Sequence, residues 1–357
     1  MEIIPGLPDD VARGCLTRIP REYFSKAFEI CKAWKTEIDS SQYLQQRKLH
    51  GFSRAIVVLA QAEPGCSFSE AKYPPKPSYH LTVFEPETGT WSRLPAIPSC
   101  PNGLPFFCQC AGVGRRYLVV IGGWNPTTWM ASKSVFVYDF VTAKWKCGAD
   151  MVGPVRSFFG CASDFNRTVF VAGGHDDEKN ALRSALAYDV IEDKWVPLPD
   201  MARQRDECKG VFHGGKFHAI GGYCTDTQGK FEKDSEVFDV EAWKWCHLDD
   251  DLLHTGMYPR NCVVDEKGKM FRCYEGNVAV LDGSVWREMA ALPNDVRVRS
   301  FVVMWREKML VIGSSVVDGV RNTYLLEFTD NKQYKWTKVE TPKEYTGNIQ
   351  AGCSLEI

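Results

Sequence analysis

VYDFVTAKW (Val137–Trp145), AYDVIEDKW (Ala187–Trp195) and VFDVEAWKW (Val237–Trp245) are three copies of one nonapeptide, an aromatic–Asp pair with tryptophan seven residues after the aromatic. Each follows a short apolar run closed by paired glycine: YLVVIGG ending at Gly123, VFVAGG at Gly174 and FHAIGG at Gly222. Working outward, Trp91, Trp286 and Trp336 extend the tryptophan series to six, at intervals of 54, 50, 50, 41 and 50 residues. Phe84 stands seven residues before Trp91, MLVIGS ending at Ser314 is a weakened glycine run, and MFRCYEG (Met270–Gly276) is a more degraded one.

Each unit reads as a β-branched strand stopped by Gly-Gly, a loop, a strand ending in the aromatic–Asp pair, a tight polar turn, and a strand opening with Trp. The glycines permit a positive φ or a close backbone approach. A tryptophan at one fixed place per repeat fills the gap between neighbouring sheets. A fourth strand precedes five of the six units: PFFCQCAGV, RSFFGCASD, DECKGVFH, RNCVVDE and RSFVVMW. The first unit, beginning near Arg54 with RAIVVLAQ, lacks one, and its counterpart stands at the far end of the chain as NIQAGCSLEI (Asn348–Ile357). The expected fold is therefore an all-β six-bladed propeller whose C-terminal strand closes the first blade, leaving no open sheet edge. At about 51 residues per blade the repeat has the length of kelch repeats. The unit without Gly-Gly is expected to be the most irregular blade.

Composition narrows the function. The chain has 357 residues, with 43 Lys and Arg against 45 Asp and Glu, so it has no global field to draw in nucleic acid or anionic lipid. Its 14 cysteines are too sparse for a disulfide scaffold, and no C-x-x-C pair exists. Neither a secretory leader nor a bilayer-length apolar stretch is visible, so free thiols in the cytoplasm or nucleus are expected. Several recur on the inner strands (Cys110, Cys161, Cys262 and Cys353), which fits small core residues. No G-x-S-x-G elbow, H-E-x-x-H, P-loop or dinucleotide fingerprint occurs. No catalytic residue, metal or cofactor is expected.

Residues 1–50 have another texture. Pro8 suits a helix start, and Val11, Ala12, Cys15, Leu16 and Ile19 form an apolar helical face halted before Pro20. Phe24, Phe28, Cys31, Trp34 and Ile38 continue at steps of four, three, three and four, predicting a second helix. Two such helices expose more apolar surface than some 45 residues can bury alone, so they either dock on the propeller or are completed by a partner.

Leu7-Pro8-Asp9-Asp10-Val11, Cys15-Leu16, Ile19-Pro20 and Ile30-Cys31-Lys32-Ala33-Trp34-Lys35 resemble the F-box motif over residues 3–45. Joined to kelch repeats, the whole chain resembles a plant kelch-repeat F-box protein. The resemblance implies an F-box over 1–48 and a substrate-binding propeller over 51–357, with no bond chemistry of its own. It implies a Skp-type adaptor and, through it, a cullin as partners. Leu7, Pro8, Val11, Leu16, Ile19, Pro20, Cys31, Trp34 and Ile38 would then form the adaptor interface and its supporting core. The compact group that it most resembles directs phenylalanine ammonia-lyase, an enzyme of phenylpropanoid metabolism, to degradation. Chalcone synthase, a hormone-signalling regulator, or a role as a metal-dependent propeller enzyme stand as alternatives.

Family resemblance also places the loops after Gly-Gly and those between blades on one face. There Trp124 and Trp129 lie outside the six-fold series, as interaction anchors or as loop residues folded back on the blade. His175 and Asp176 open a charged loop after Gly174. Arg156, Arg205, Arg260 and Arg299 each precede an inner strand. They would either ring a central mouth suited to an acidic or C-terminal segment, or bond neighbouring carbonyls as structural ties.

Overall fold

A computed structural model of the chain describes residues 2–64, 77–247, 252–253, 259–283, 285–316, 319–328 and 334–357. Among them are six four-stranded antiparallel sheets. From the axis outward, the first blade comprises Ile349–Glu356, Ala55–Ala62, Tyr79–Glu85 and Thr90–Arg93. The second holds Gln109–Val113, Tyr117–Ile121, Val135–Asp139 and Lys144–Gly148, and the third Gly160–Ser163, Thr168–Ala172, Ala185–Asp189 and Lys194–Pro197. The fourth holds Lys209–His213, Lys216–Ile220, Ser235–Asp239 and Lys244–His247. The fifth, from the degraded repeat, is complete with Cys262–Val264, Met270–Tyr274, Asn277–Asp282 and Val285–Ala291. Val298–Trp305, Lys308–Ser314, Asn322–Phe328 and Tyr334–Val339 make the sixth.

Inner strands of successive blades touch all the way round, and the ring closes where Ile349–Glu356 lies between its neighbours of the second and sixth blades. That C-terminal strand pairs with Ala55–Ala62 from Ala55↔Glu356 to Ala60↔Ala351, and Arg54 and Ile357 exchange both backbone hydrogen bonds beyond the ladder. Closure by the two ends of the chain is as the repeat count predicts.

The repeated residues have repeated duties. Five of the six marker tryptophans donate their indole N–H to the carbonyl of the preceding blade's outgoing segment: Trp91 to Glu340, Trp145 to Pro95, Trp195 to Ala149, Trp245 to Pro199 and Trp286 to Leu252, at 2.6–3.1 Å. Trp336, the sixth, packs edge-on to Tyr324, and its buried indole N–H has no hydrogen-bond partner among the described residues. The aspartates of the nonapeptides cap their own turns: Asp189 accepts from the amides of Ile191 and Glu192 at 2.9 Å each. Each also pairs with a cation at the start of the second strand, Asp139 with Arg116, Asp189 with Arg167 and Asp239 with Lys216. The glycine pairs are obligatory. At Gly173, φ is +64° and an added Cβ would lie 2.1 Å from the Arg205 carbonyl oxygen.

The N-terminal segment forms four helices, α1 (Asp9–Leu16), α2 (Phe24–Ile30), α3 (Lys32–Asp39) and α4 (Ser41–Leu49). One expectation is corrected. The second predicted helix breaks at Cys31, whose extended backbone (φ −157°, ψ 167°) makes it the N-cap of α3, its thiol accepting from the Trp34 amide. The stretch before the first blade holds α4, capped by the Ser40 hydroxyl, which accepts from the Tyr43 amide.

Candidate functional site

In the second, third and fourth blades the second strand ends at Gly-Gly, and the loops that follow share one face with the segments that link blades. Backbone bridges tie the two sets together: Phe106↔Trp124, Ser157↔His175 and Asp206↔Tyr223. Short turns between first and second strands, and between third and fourth, occupy the opposite face.

On the loop face the structure gathers aromatic rings from the second and third blades. Trp129 stacks on Phe106 at 5.1 Å and Phe107 meets Phe158 at 4.6 Å, with Trp124 edge-on to Phe107, Trp129 and Phe158. Trp124 is half-buried and donates to Ser157, whereas Trp129 and Phe107 stay 46% and 41% exposed. Trp129 thus stays open to solvent, and Trp124 is folded back against the blade. The row continues from Phe158 to His175 at 5.4 Å, and His175 bonds Asp206 at 2.8 Å. Asp176 turns back to cap its own loop through the amides of Glu178 and Asn180.

Phe107 and Phe158 were not foreseen as site residues. A sequence signal exists: each belongs to a Phe-Phe pair ahead of an inner strand, Phe107 as its second residue and Phe158 as its first, 51 positions apart. The structure adds that both adopt the left-handed backbone region, as do Glu207 and Arg299 (φ 59°, 54°, 53° and 48°). Such geometry costs a bulky side chain on the order of 1–3 kcal/mol and is held only where surroundings over-determine it. Here it turns one residue to the channel mouth while the next (Cys108, Phe159 or Cys208) enters the core.

That register overturns the reading of four equivalent arginines around a mouth. Arg156 and Arg205 are fully buried two residues earlier. Arg156 donates to the carbonyls of Gly173 and Ser184 at 3.1 and 3.0 Å and to the Ser184 hydroxyl at 2.9 Å. Arg205 donates to the Gly221 carbonyl at 2.8 Å and makes a fork to Asp234 at 3.1 and 2.9 Å, with Glu236 on its Nε. Both tie the Gly-Gly loop of their own blade to the linking segment. Burial pushes Arg156 down to about 10; burial also works against Arg205, but its hydrogen bonds to Asp234 together with the charges of Asp234 and Glu236 outweigh that and hold it above the usual value. Arg299 instead occupies the Phe158 position, exposed on the channel wall. The tie in the sixth blade is Arg321, which bonds the Val298 carbonyl at 3.1 Å and Ser314 at 3.2 Å. Arg260 lies in a helical turn (Pro259–Asn261), and its side chain falls outside the described residues.

The helices pack on the opposite face, against the first two blades. Ala12, Leu16, Phe24, Ala27, Ile38 and Tyr43 form one core with Ile56, Val58, Phe140, Leu355 and Ile357. Ion pairs ring this seam: Arg21 with Glu85, Lys48 with Glu356 at 2.8 Å, and Arg116 bridging Asp39 and Asp139 at 2.7 and 2.8 Å. Arg47, 2% exposed, crosses the interior to the carbonyls of Thr17, Ile19 and Phe52. Of the predicted adaptor residues, Leu7, Pro8, Val11, Pro20 and Cys31 are exposed and Ile19 and Trp34 half-buried. Leu16 and Ile38 are fully buried, so they belong to the supporting core and touch no partner. The apolar face of α1 splits accordingly: Ala12 and Leu16 point inward, while Val11 and Cys15, one turn apart, point to solvent. Ile30, 61% exposed, extends the open surface.

Residues 105–152 and 156–202, the second and third blades with their linking segments, match the family model of the kelch motif. Two F-box/kelch-repeat proteins of Arabidopsis thaliana, At1g80440 and At1g15670, are 45% and 44% identical to the chain over the full length of both partners. A third from that plant, SKIP20, is 33% identical over 72% of this chain and 69% of its own. The chain belongs to the plant F-box/kelch-repeat family.

In this F-box/kelch-repeat protein an axial channel of about 1000 Å³ runs among the inner strands from the loop-face residues Phe107, Trp129, Glu207 and Arg299. Cys110, Cys161 and Cys353 line it from adjacent blades. Hydrogen bonding from Cys108 and then burial raise the Cys110 thiol; burial raises Cys353 and pushes Cys161 to about 12. These thiols stay protonated at neutral pH, which makes them poor nucleophiles. Among the described residues no group of three or more His, Cys, Asp or Glu side chains is arranged to hold a metal ion.

Proposed function

We propose that this F-box/kelch-repeat protein is the substrate-recognition subunit of a Skp–cullin–F-box ubiquitin ligase, acting in the cytoplasm or nucleus. Its helices hold the adaptor and its loop face holds the target. One observation carries the reading. Helices sealed to the propeller through a shared core nevertheless keep Leu7, Val11, Cys15, Ile30 and Cys31 in solvent, and they do so on the face opposite the aromatic loops. Exposed apolar side chains on an otherwise satisfied element mark a docking surface. The chain would work by proximity, presenting the target's lysines to a charged conjugating enzyme.

Phenylalanine ammonia-lyase is the proposed target, supported by the chain's likeness to the compact group of receptors for that enzyme. The test is reconstitution: adaptor, cullin and conjugating enzyme with purified phenylalanine ammonia-lyase and this chain. Ubiquitin chains should form on the lyase and fall at least tenfold when the receptor carries Leu7→Ala and Pro8→Ala. Unmodified lyase beside an adaptor-bound receptor would remove that target and leave the receptor role standing. Failure to bind adaptor at all would remove the role.

A further inference from the structure

The mouth of the channel on the loop face is polarised. Along the loop face of the third and fourth blades stand Asp176, Asp177, Glu178, Asp206 and Glu207, against the cations Lys179, Arg183, Lys209 and the buried Arg156, while Arg203 and the buried Arg205 are taken up by Glu232, Asp234 and Glu236. Tyr223 donates to Glu207 at 3.1 Å, fixing that carboxylate beside the aromatic row. Across the channel the sixth blade contributes Arg299 and Arg321. Between the two poles lie the open rings of Phe107 and Trp129, with Phe158 leading directly to His175 and Asp206.

Exposed aromatic faces attract cations through their quadrupoles, and neighbouring carboxylates deepen the attraction. The same rings offer a large apolar contact at little entropic cost, the usual character of a binding hot spot. An acidic ligand would meet repulsion from the third and fourth blades. The left-handed backbone at Phe107, Phe158, Glu207 and Arg299 turns these four side chains to the mouth at one repeat position, which is where a ligand would read them.

We propose that the mouth docks a segment of the target protein in which a lysine or arginine stands beside an aromatic or aliphatic anchor. The anchor packs on Phe107 and Trp129, and the cation runs over Phe158 towards Glu207 and the Asp177–Glu178 edge. This deepens, and rests on, the reading of the loop face as the target site. It reverses the acidic ligand that an arginine-ringed mouth would have implied.

The test is selection of a displayed random dodecapeptide library on the full-length chain bound to its adaptor, followed by affinity measurement with the best synthetic peptide. Selected peptides should be enriched in Lys or Arg next to Phe, Trp, Leu, Ile or Met, and should bind more weakly as salt rises. Trp129→Ala and Glu207→Gln should each weaken binding about tenfold. The charge reversals Asp177→Lys and Glu178→Lys, on exposed loop residues, should do the same without touching packing; unchanged adaptor capture and melting temperature report an intact fold. Acidic peptides whose binding depends on Arg299 would overturn the proposal while keeping the loop face as the site. Peptides insensitive to all four variants, or no enrichment, would overturn both.

Discussion

Arg156 and Arg205 do one job with different chemistry, and that difference is measurable. Arg205 neutralises Asp234 and Glu236 in the interior, so Arg205→Ala leaves two buried carboxylates without their cation and should cost about 3–5 kcal/mol. Arg156→Ala removes donors from neutral carbonyl and hydroxyl groups only and should cost about 1–3 kcal/mol. Denaturant titration of both variants checks the order; equal losses would mean that the carboxylates contribute nothing beyond backbone ties. The same pair shows where sequence reading stopped. Arg156, Arg205 and Arg299 all precede an inner strand, but the left-handed residue that sets the register is a backbone property with no residue type of its own. Phe, Glu and Arg all occupy it. Trp129 and His175 were legible because they break or follow a repeat; Phe107 and Phe158 were hidden inside what read as strand.

At the level of elements, periodicity placed strands well and helices less well. The blade strands are short, mostly apolar runs bounded by glycine and turn residues, and even the fifth blade, stripped of its glycine pair, keeps all four. In the helical segment the steps through Cys31 are helical in number, yet the chain is extended there, because a thiol cap and a fresh start let α3 fold against α2. The fourth blade carries a pH signature that composition could not reveal. His218, 9% exposed and stacked on His213 at 4.9 Å, has no partner for its Nε2, and burial pushes it down to about 4. Its folded pKa is depressed, so between about 6.5 and 4 the unfolded chain binds the extra proton. Stability from this group is complete above pH 6.5 and should fall by up to about 3 kcal/mol as pH drops towards 4. Urea midpoints across that range should slope less steeply in His218→Gln; identical slopes would place the titration elsewhere.

The whole molecule is a ring closed by its own two ends, with the helices seated where those ends meet. Leu355 of the closing strand and Ile357 just beyond it both belong to the core beneath the helices. The exposed helical face and the aromatic loop face are therefore held in fixed relation by packing, and no linker intervenes. Repeat count, closure and the F-box resemblance were all readable from sequence. Whether the helices docked was not, since their apolar excess fitted two outcomes; the structure shows one side of α1 buried on the propeller, while Val11 and Cys15 on the other side stay in solvent. This geometry makes deletion of residues 1–45 a poor probe, because it would bare the core around Ile56, Val58 and Phe140. Point substitutions on the two exposed surfaces are the clean instrument.

The most direct measurement is a crossed capture assay with purified Skp-type adaptor and target, using Leu7→Ala/Pro8→Ala on one face and Trp129→Ala/Glu207→Gln on the other. The account predicts that the first variant loses adaptor and keeps target, and that the second loses target and keeps adaptor. Two folded variants that lose the same partner, or that each keep both, would contradict it.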